Sequence, residues 1–295
     1  MKYLLLILTA LLTASCSFNK LFLQPTRIPA AAKGIMVKLK DDTVLVAFSK
    51  GSHQPAFLKN GKDTLDLGYT IESVIYKNTN GDTLNGWFLK PKGTPASITI
   101  LHLHGNAGCL VSQYGAISPL LKQGMQVFIF DYSGFGFSGG RATKKNVLTD
   151  ALSTLDYLKA REDVKNTSLV LYGQSLGGHL SAVVGSQRQD DIDGLVIEGA
   201  FSSHKDIAAY TVPVLGRLIV KQDYSAAQSI KKFHKPLLVI HSTQDETIPF
   251  RMGQKLFAAA NTPKEFYEIK QCHICGPNFY PAEISEKIKA MLQKK

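Results

Sequence analysis

Short apolar runs punctuate the chain from residue 97 onward: SITILHLHG at 97–105, QVFIFDYSG at 126–134, SLVLYG at 168–173, GLVIEGAF at 194–201, PLLVIHS at 236–242 and EFYEIK at 265–270. Most are continuous rather than alternating. That is the pattern of strands buried on both faces, and hence of a mostly parallel sheet. Between the runs the period changes. Residues 143–160 place Val147, Ala151, Leu155 and Leu158 on one helical stripe. Pro281 opens a last helix with Ile284, Ile288 and Met291 on its inner face. Residues 34–91 read as antiparallel β: TVLVAF and TIESVIY are strand-like, and TLNGWFL completes a hairpin around NTNGD, whose turn centres on Asn80-Gly81. Strands and helices alternating behind an antiparallel start predict one α/β domain.

The first residues follow another rule. MKYLLLILTALLTASC has one Lys, an apolar run over 3–12, then small residues, which is a secretory signal too short for a membrane span. Leu12-Thr13-Ala14-Ser15-Cys16 resembles a bacterial lipobox, with Thr13 where Leu is commoner. The resemblance implies cleavage before Cys16, lipid on its thiol and its new amine, and a lipid-anchored protein of the bacterial cell envelope. With Ser17 rather than Asp next, it implies the outer membrane in a Gram-negative cell. The expected organisation is a signal peptide at 1–15, a lipidated tether at 16–34 and a catalytic domain at 35–295.

An apolar content of 44% and a charged content of 19% fit a globular chain able to bury a core without staples. The net charge of +11 is spread over scattered lysines with no Arg-rich block, which argues against a nucleic-acid partner. A solvated basic surface or attraction to an anionic leaflet remains.

The chemistry centres on VLYGQSLGG at 170–178. A Gly-x-Ser-x-Gly match alone has roughly a one in ten chance of accident in a chain this long. Here it stands between a buried strand and a helix start, where Gly173 and Gly177 let the two elements close around Ser175. Ser175 is then a nucleophile, and the Leu176 N–H, at the head of the helix, one oxyanion donor. The base must be a His lying after the acid in this order of elements. Of the eight histidines only His273 follows Asp245, which sits in a short loop after the strand PLLVIHS. Asp245 would orient His273, with Glu198 as the alternative acid. After the strand at 97–101, HLHGNAG offers a second oxyanion donor, the N–H of Asn106, with His104 bracing the loop. His102-x-His104 puts both rings on one face of a buried strand without nearby carboxylates, so no metal and no cofactor is expected.

LHGNAG, DYSGFGFSGG, GQSLGG, IEGAF, HSTQDETIP and the final His together resemble the α/β-hydrolase superfamily, in its serine aminopeptidase-like or dienelactone-hydrolase-like branch, related to protein depalmitoylases. The resemblance covers roughly residues 70–295. It implies the α/β-hydrolase fold, a mostly parallel eight-stranded sheet with the second strand antiparallel, helices on both faces and a short lid, here about 202–235. It implies a Ser-Asp-His triad at Ser175, Asp245 and His273, and a structural role for Asp131 and Tyr132. The expected activity is hydrolysis of an ester or thioester with a small-molecule or lipid-like acyl group. The alternatives are an aminopeptidase-like serine peptidase and a non-catalytic interaction module.

Relatives carry Gly before the catalytic His, whereas here Cys272 and Cys275 flank it. Cys109 follows the oxyanion loop. In an oxidising compartment three arrangements stay open: Cys109 bonded to Cys272 or Cys275, a Cys272–Cys275 ring, or three thiols. Tyr210, Val214, Leu218 and Val220 lie near helical spacing in the lid, as an acyl-binding wall or as ordinary packing.

Overall fold

The computed structural model describes residues 22–39 and 42–293. The expected signal peptide and Cys16 lie outside the described residues. The main sheet has eight strands: β1 (Tyr69–Lys77), β2 (Thr83–Pro91), β3 (Ile98–Leu103), β4 (Gln126–Phe130), β5 (Ser168–Gln174), β6 (Gly194–Glu198), β7 (Leu237–Ser242) and β8 (Lys264–Ile269). Their spatial order is β1-β2-β4-β3-β5-β6-β7-β8. β2 runs antiparallel to both its neighbours, and the other pairs are parallel.

Alternation along the strands divides the core in two. On one face Leu101, Leu103, Phe128 and Phe130 pack with side chains from α1 (Lys144–Lys159) and α2 (Leu176–Gln187). α1 is the helix whose apolar stripe the sequence shows, and Thr143 caps it, its hydroxyl accepting from the Asn146 N–H at 3.0 Å. On the other face Ile98, Ile100, Val127 and Ile129 pack with Ile284, Ile288 and Met291. Those three come from the closing helix Pro281–Gln293.

The hairpin between β1 and β2 turns at the NTNGD segment, as expected. Lys77 pairs with Thr83, leaving a five-residue loop, 78–82. The Asn78 carboxamide accepts the N–H groups of Asn80 and Asp82, both at 2.9 Å, and only Gly81 takes a positive φ, 85°. The preceding β segment is a separate meander of four antiparallel strands, Gly34–Leu39, Asp42–Phe48, Pro55–Lys59 and Asp63–Thr64. It is fastened to the main body by Val44, Val46 and Phe57, whose ring meets Trp87 edge-on at 6.2 Å.

The segment expected as a tether is in part built into the protein. Gln24–Pro25 forms a short parallel ladder with Ala107–Gly108, and Arg27 bridges to Gly136.

Candidate active site

Ser175 stands between the last residue of β5 and the first of α2, at φ 56° and ψ −116°. A non-glycine residue there is strained and persists only when its surroundings over-determine it. They do. The Ser175 N–H donates to the Glu198 carbonyl at 2.9 Å, and its own carbonyl accepts from His179 N–H at 3.0 Å. A Cβ on Gly177 would sit 1.9 Å from the Leu103 carbonyl oxygen, and one on Gly173 would sit 2.2 Å from the Gly177 carbonyl oxygen. The strand exit, the serine and the helix start therefore close on each other only because both positions lack a side chain.

Leu176 heads α2, where the helix has no internal acceptor for its N–H. Opposite it runs the loop after β3. A Cβ on Gly105 would lie 3.7 Å from the Ser175 Cβ, so this loop, with Asn106 next in chain, flanks the serine. Three contacts hold it. The Tyr132 hydroxyl donates to the His104 carbonyl at 3.0 Å, His104 Nδ1–H donates to the Gly105 carbonyl at 2.8 Å, and the Gln113 amide donates to the Ala107 carbonyl. The Asn106 carboxamide oxygen also accepts the Gln24 N–H at 2.8 Å.

The two histidines expected on one face are found apart. His102 hydrogen bonds Gln174 at 3.0 Å and faces Tyr172, whereas His104 packs 4.4 Å from the Tyr132 ring and against Phe135. β3 ends at Leu103, and the turn that follows swings His104 over. Both rings are fully buried and neutral, burial pushing them down to about 3 and about 4. Asp131, fully buried, accepts the Leu110 N–H at 2.6 Å, and burial pushes its carboxyl up to about 7.

Asp245 and His273 meet at the same edge of the sheet, Oδ2 to Nδ1 at 2.7 Å. The Asp245 side chain is wholly buried and the His273 side chain is 17% exposed. Asp245 Oδ1 accepts the N–H groups of Thr247 at 2.9 Å and Ile248 at 2.8 Å. Burial raises the Asp245 carboxyl, but the His273 hydrogen bond and charge, together with these two N–H groups, outweigh it and hold the group below its ordinary value. A carboxylate on Nδ1 fixes the proton there and leaves Nε2 as the acceptor. The ring lies against the chain just beyond the serine's acceptor: a Cβ on Gly199 would come within 3.2 Å of His273 Cε1. An open depression of about 780 Å³ lies between the Asp245 loop, Cys272 and His273. Among the described residues no group of three or more His, Cys, Asp or Glu could hold a metal ion.

The family model for the alpha/beta hydrolase fold matches residues 98–218. The protein YfhR of Escherichia coli O157:H7 is 35% identical over 206 residues, 68% of this chain and 72% of that protein. The chain belongs to the α/β-hydrolase superfamily. The alpha/beta hydrolase domain-containing protein WAV2 of Arabidopsis thaliana is 27% identical over 209 residues, 66% of this chain and 68% of that one. Among solved structures, the Pyrococcus furiosus esterase Pf2001 superposes with a TM-score of 0.63 at 21% identity, covering 78% of this chain and 94% of the esterase.

Within this α/β-hydrolase fold the loop bearing His273 is closed by a disulfide. Cys272 and Cys275 are bonded, their Cα atoms 5.5 Å apart, and Ile274 inside the ring has a φ of 51°. The bond from Cys109 to either of them is not formed. Cys109 is a free thiol buried in the core with Leu110 and Tyr114, and burial pushes it up to about 11.

Glu198, expected at most as an alternative acid, has another place. It accepts from the Tyr172 hydroxyl at 2.8 Å, the Gln174 amide at 2.7 Å and the Gly276 N–H at 2.7 Å. Its backbone holds Ser175 and its side chain holds the histidine loop. The sequence signal for it was a lone carboxylate closing the apolar run LVIE.

The lid wall also differs from its expected form. The helix His204–Thr211 ends before Val214, which has a φ of 70°, so no single helix carries the stripe. Val214 and Leu218 are exposed, at 88% and 79%. Leu176, next to the serine in chain, instead packs with Phe201, Ile207, Ile248 and Met252.

Glu198→Ala should leave the Tyr172 hydroxyl and the Gly276 N–H without an acceptor, the Gln174 amide keeping the Ile274 carbonyl, and lower stability by about 2 kcal/mol or more, at roughly 1–3 kcal/mol for each donor. A denaturant melt with an unchanged midpoint would contradict this account of the residue.

Proposed function

We propose that the protein is a serine hydrolase that cleaves an ester or thioester through an acyl-enzyme on Ser175, with His273 as base and Asp245 as its orienting acid. The observation that carries the reading is the strained Ser175 at a strand-to-helix turn, together with a wholly buried carboxylate bonded to His273 Nδ1 at 2.7 Å on the same edge of the sheet. His273 Nε2 takes the Ser175 proton as Oγ attacks the acyl carbon. Asp245 keeps Nδ1 protonated and stabilises the imidazolium. The N–H groups of Leu176 and Asn106 receive the oxyanion, each contributing about 3–4 kcal/mol of transition-state stabilisation. The imidazolium then protonates the leaving alkoxide or thiolate, and water, activated by the same ring, releases the acid. Named esterases among the structural neighbours support the ester reading.

A panel of p-nitrophenyl esters and aminoacyl anilides tests it. The esters should be turned over and the anilides should not. Ser175→Ala and His273→Ala should each lose on the order of a million-fold in kcat, and Asp245→Ala about ten thousand-fold. A Ser175→Ala protein retaining a tenth of the activity would sink the mechanism, and anilide turnover above ester turnover would make it a peptidase.

We further propose that Cys16 carries lipid and anchors the enzyme in the bacterial envelope. The lipobox-like sequence supports this, and Phe22 lies within six residues, about 20 Å of extended chain. The wild-type protein should stay with the bilayer through a carbonate wash and Cys16→Ser should not. Retention of the variant would remove the anchor from the account.

A further inference from the structure

Residues 22–28 run along the loop that flanks Ser175 and are fastened there by backbone and side-chain hydrogen bonds. The Gln24 N–H donates to Asn106 Oδ1 at 2.8 Å, and the Thr26 N–H donates to the Gly108 carbonyl at 2.9 Å. The Gly136 N–H donates to the Thr26 carbonyl and the Ile28 N–H to the Gly136 carbonyl, both at 2.9 Å. The Arg27 guanidinium donates to the Gly140 carbonyl. The segment is thus stitched to the loop after β3, which flanks Ser175, and to the loop after β4, whose Tyr132 hydroxyl holds that first loop.

This stitching decides where the two residues before it lie. Phe22 and Leu23 pack on the apolar cluster that includes Leu176, and Leu23 also reaches the main core. The Phe22 ring meets His204 edge-on at 5.0 Å and lies 6.4 Å from Phe201, and the Lys144 ammonium stands 5.0 Å over its face. The cluster draws its side chains from separate elements: Leu176 from the head of α2, Phe201 from the exit of β6, Ile207 from the lid, Ile248 from the Asp245 loop and Met252 from the helix Phe250–Ala259. All five are under a tenth exposed. An apolar surface that includes Leu176, the residue following the nucleophile and itself an oxyanion donor in this reading, is where the alkyl part of an acyl group would lie.

We infer that residues 22–28 form a strap over this apolar surface, and that Leu23, with Phe22, limits the acyl chain the enzyme accepts to short ones. The inference rests on the serine-hydrolase reading above. With the strap in place the surface that would hold methylenes beyond the first few is already covered. A Leu23 side chain cut back to Ala returns that space to the substrate. Leu23 does not touch the reacting atoms, and its effect is on specificity.

The experiment compares p-nitrophenyl butyrate and octanoate across the full-length wild type, Leu23→Ala, Leu23→Ile and Leu23→Trp. Calorimetric binding of decanoate, which needs no catalysis, runs alongside. The wild type should favour butyrate. Leu23→Ala should raise the octanoate-to-butyrate ratio of kcat/KM about tenfold, Leu23→Trp should lower it, and Leu23→Ile should leave it near wild type. Leu23→Ala should bind decanoate about tenfold more tightly. A uniform fall with both esters and no gain in decanoate affinity would show that the strap only stabilises the fold, and would overturn the inference. If the wild type hydrolyses no ester but Leu23→Ala gains decanoate affinity, the wall stands and the hydrolase reading falls. If esters are hydrolysed with an unchanged chain-length ratio in both the Ala and Trp variants, the hydrolase reading stands and the wall falls.

Discussion

The close approach of α2 to the ends of β3 and β5 is the constraint on which the rest of the site depends. A helix that starts immediately after a buried strand must turn the chain within one residue. Ser175 takes that turn at φ 56°, where a residue with a side chain is strained. The strain is held by backbone hydrogen bonds and by glycines whose missing Cβ atoms would otherwise overlap carbonyl oxygens near 2 Å. One geometry results. It lifts the serine side chain out of the core and sets the Leu176 N–H at a helix head beside it. It also brings the loop after β3 alongside.

The other residues of the site are positioned from the same edge of the sheet. Strands β5 to β8 are parallel, so their exits gather at one side, and Ser175, Glu198, Asp245 and His273 all lie on or just after those exits. Glu198 joins two of the exits. Its carbonyl fixes Ser175 and its carboxylate fixes Gly276, three residues beyond His273. The disulfide between Cys272 and Cys275 closes the same loop from its outer side. The base is therefore held on both flanks: by a buried carboxylate reaching across from β6 and by a covalent ring around the histidine.

How much of this was legible in the sequence follows from the range of the interactions. Strands buried on both faces must be apolar throughout, and they were read directly, as was the α1 stripe. The serine turn was legible because its glycines are needed within two residues of Ser175. The strap was not, because the partner of Gln24 lies 82 residues away and the segment has no period of its own. The four-stranded meander was read only as β, since its half-exposed strands mix polar and apolar residues without a clean alternation. Helical spacing across the lid misled, because spacing has meaning only along one helix and the chain breaks at Pro213 and Val214. The cysteine pairing stayed open because chain order does not tell which way a side chain faces. Cys109 turns into the core, while its two counterparts share a short loop.

The central claim is that His273 activates Ser175. A fluorophosphonate reacts with a serine only when a neighbouring base takes its proton. Intact mass followed by peptide mapping should therefore show a single adduct on the peptide containing Ser175 in the wild type, and almost none in His273→Ala at equal exposure. An adduct on another residue, or labelling of Ser175 that proceeds equally well without His273, would contradict the account.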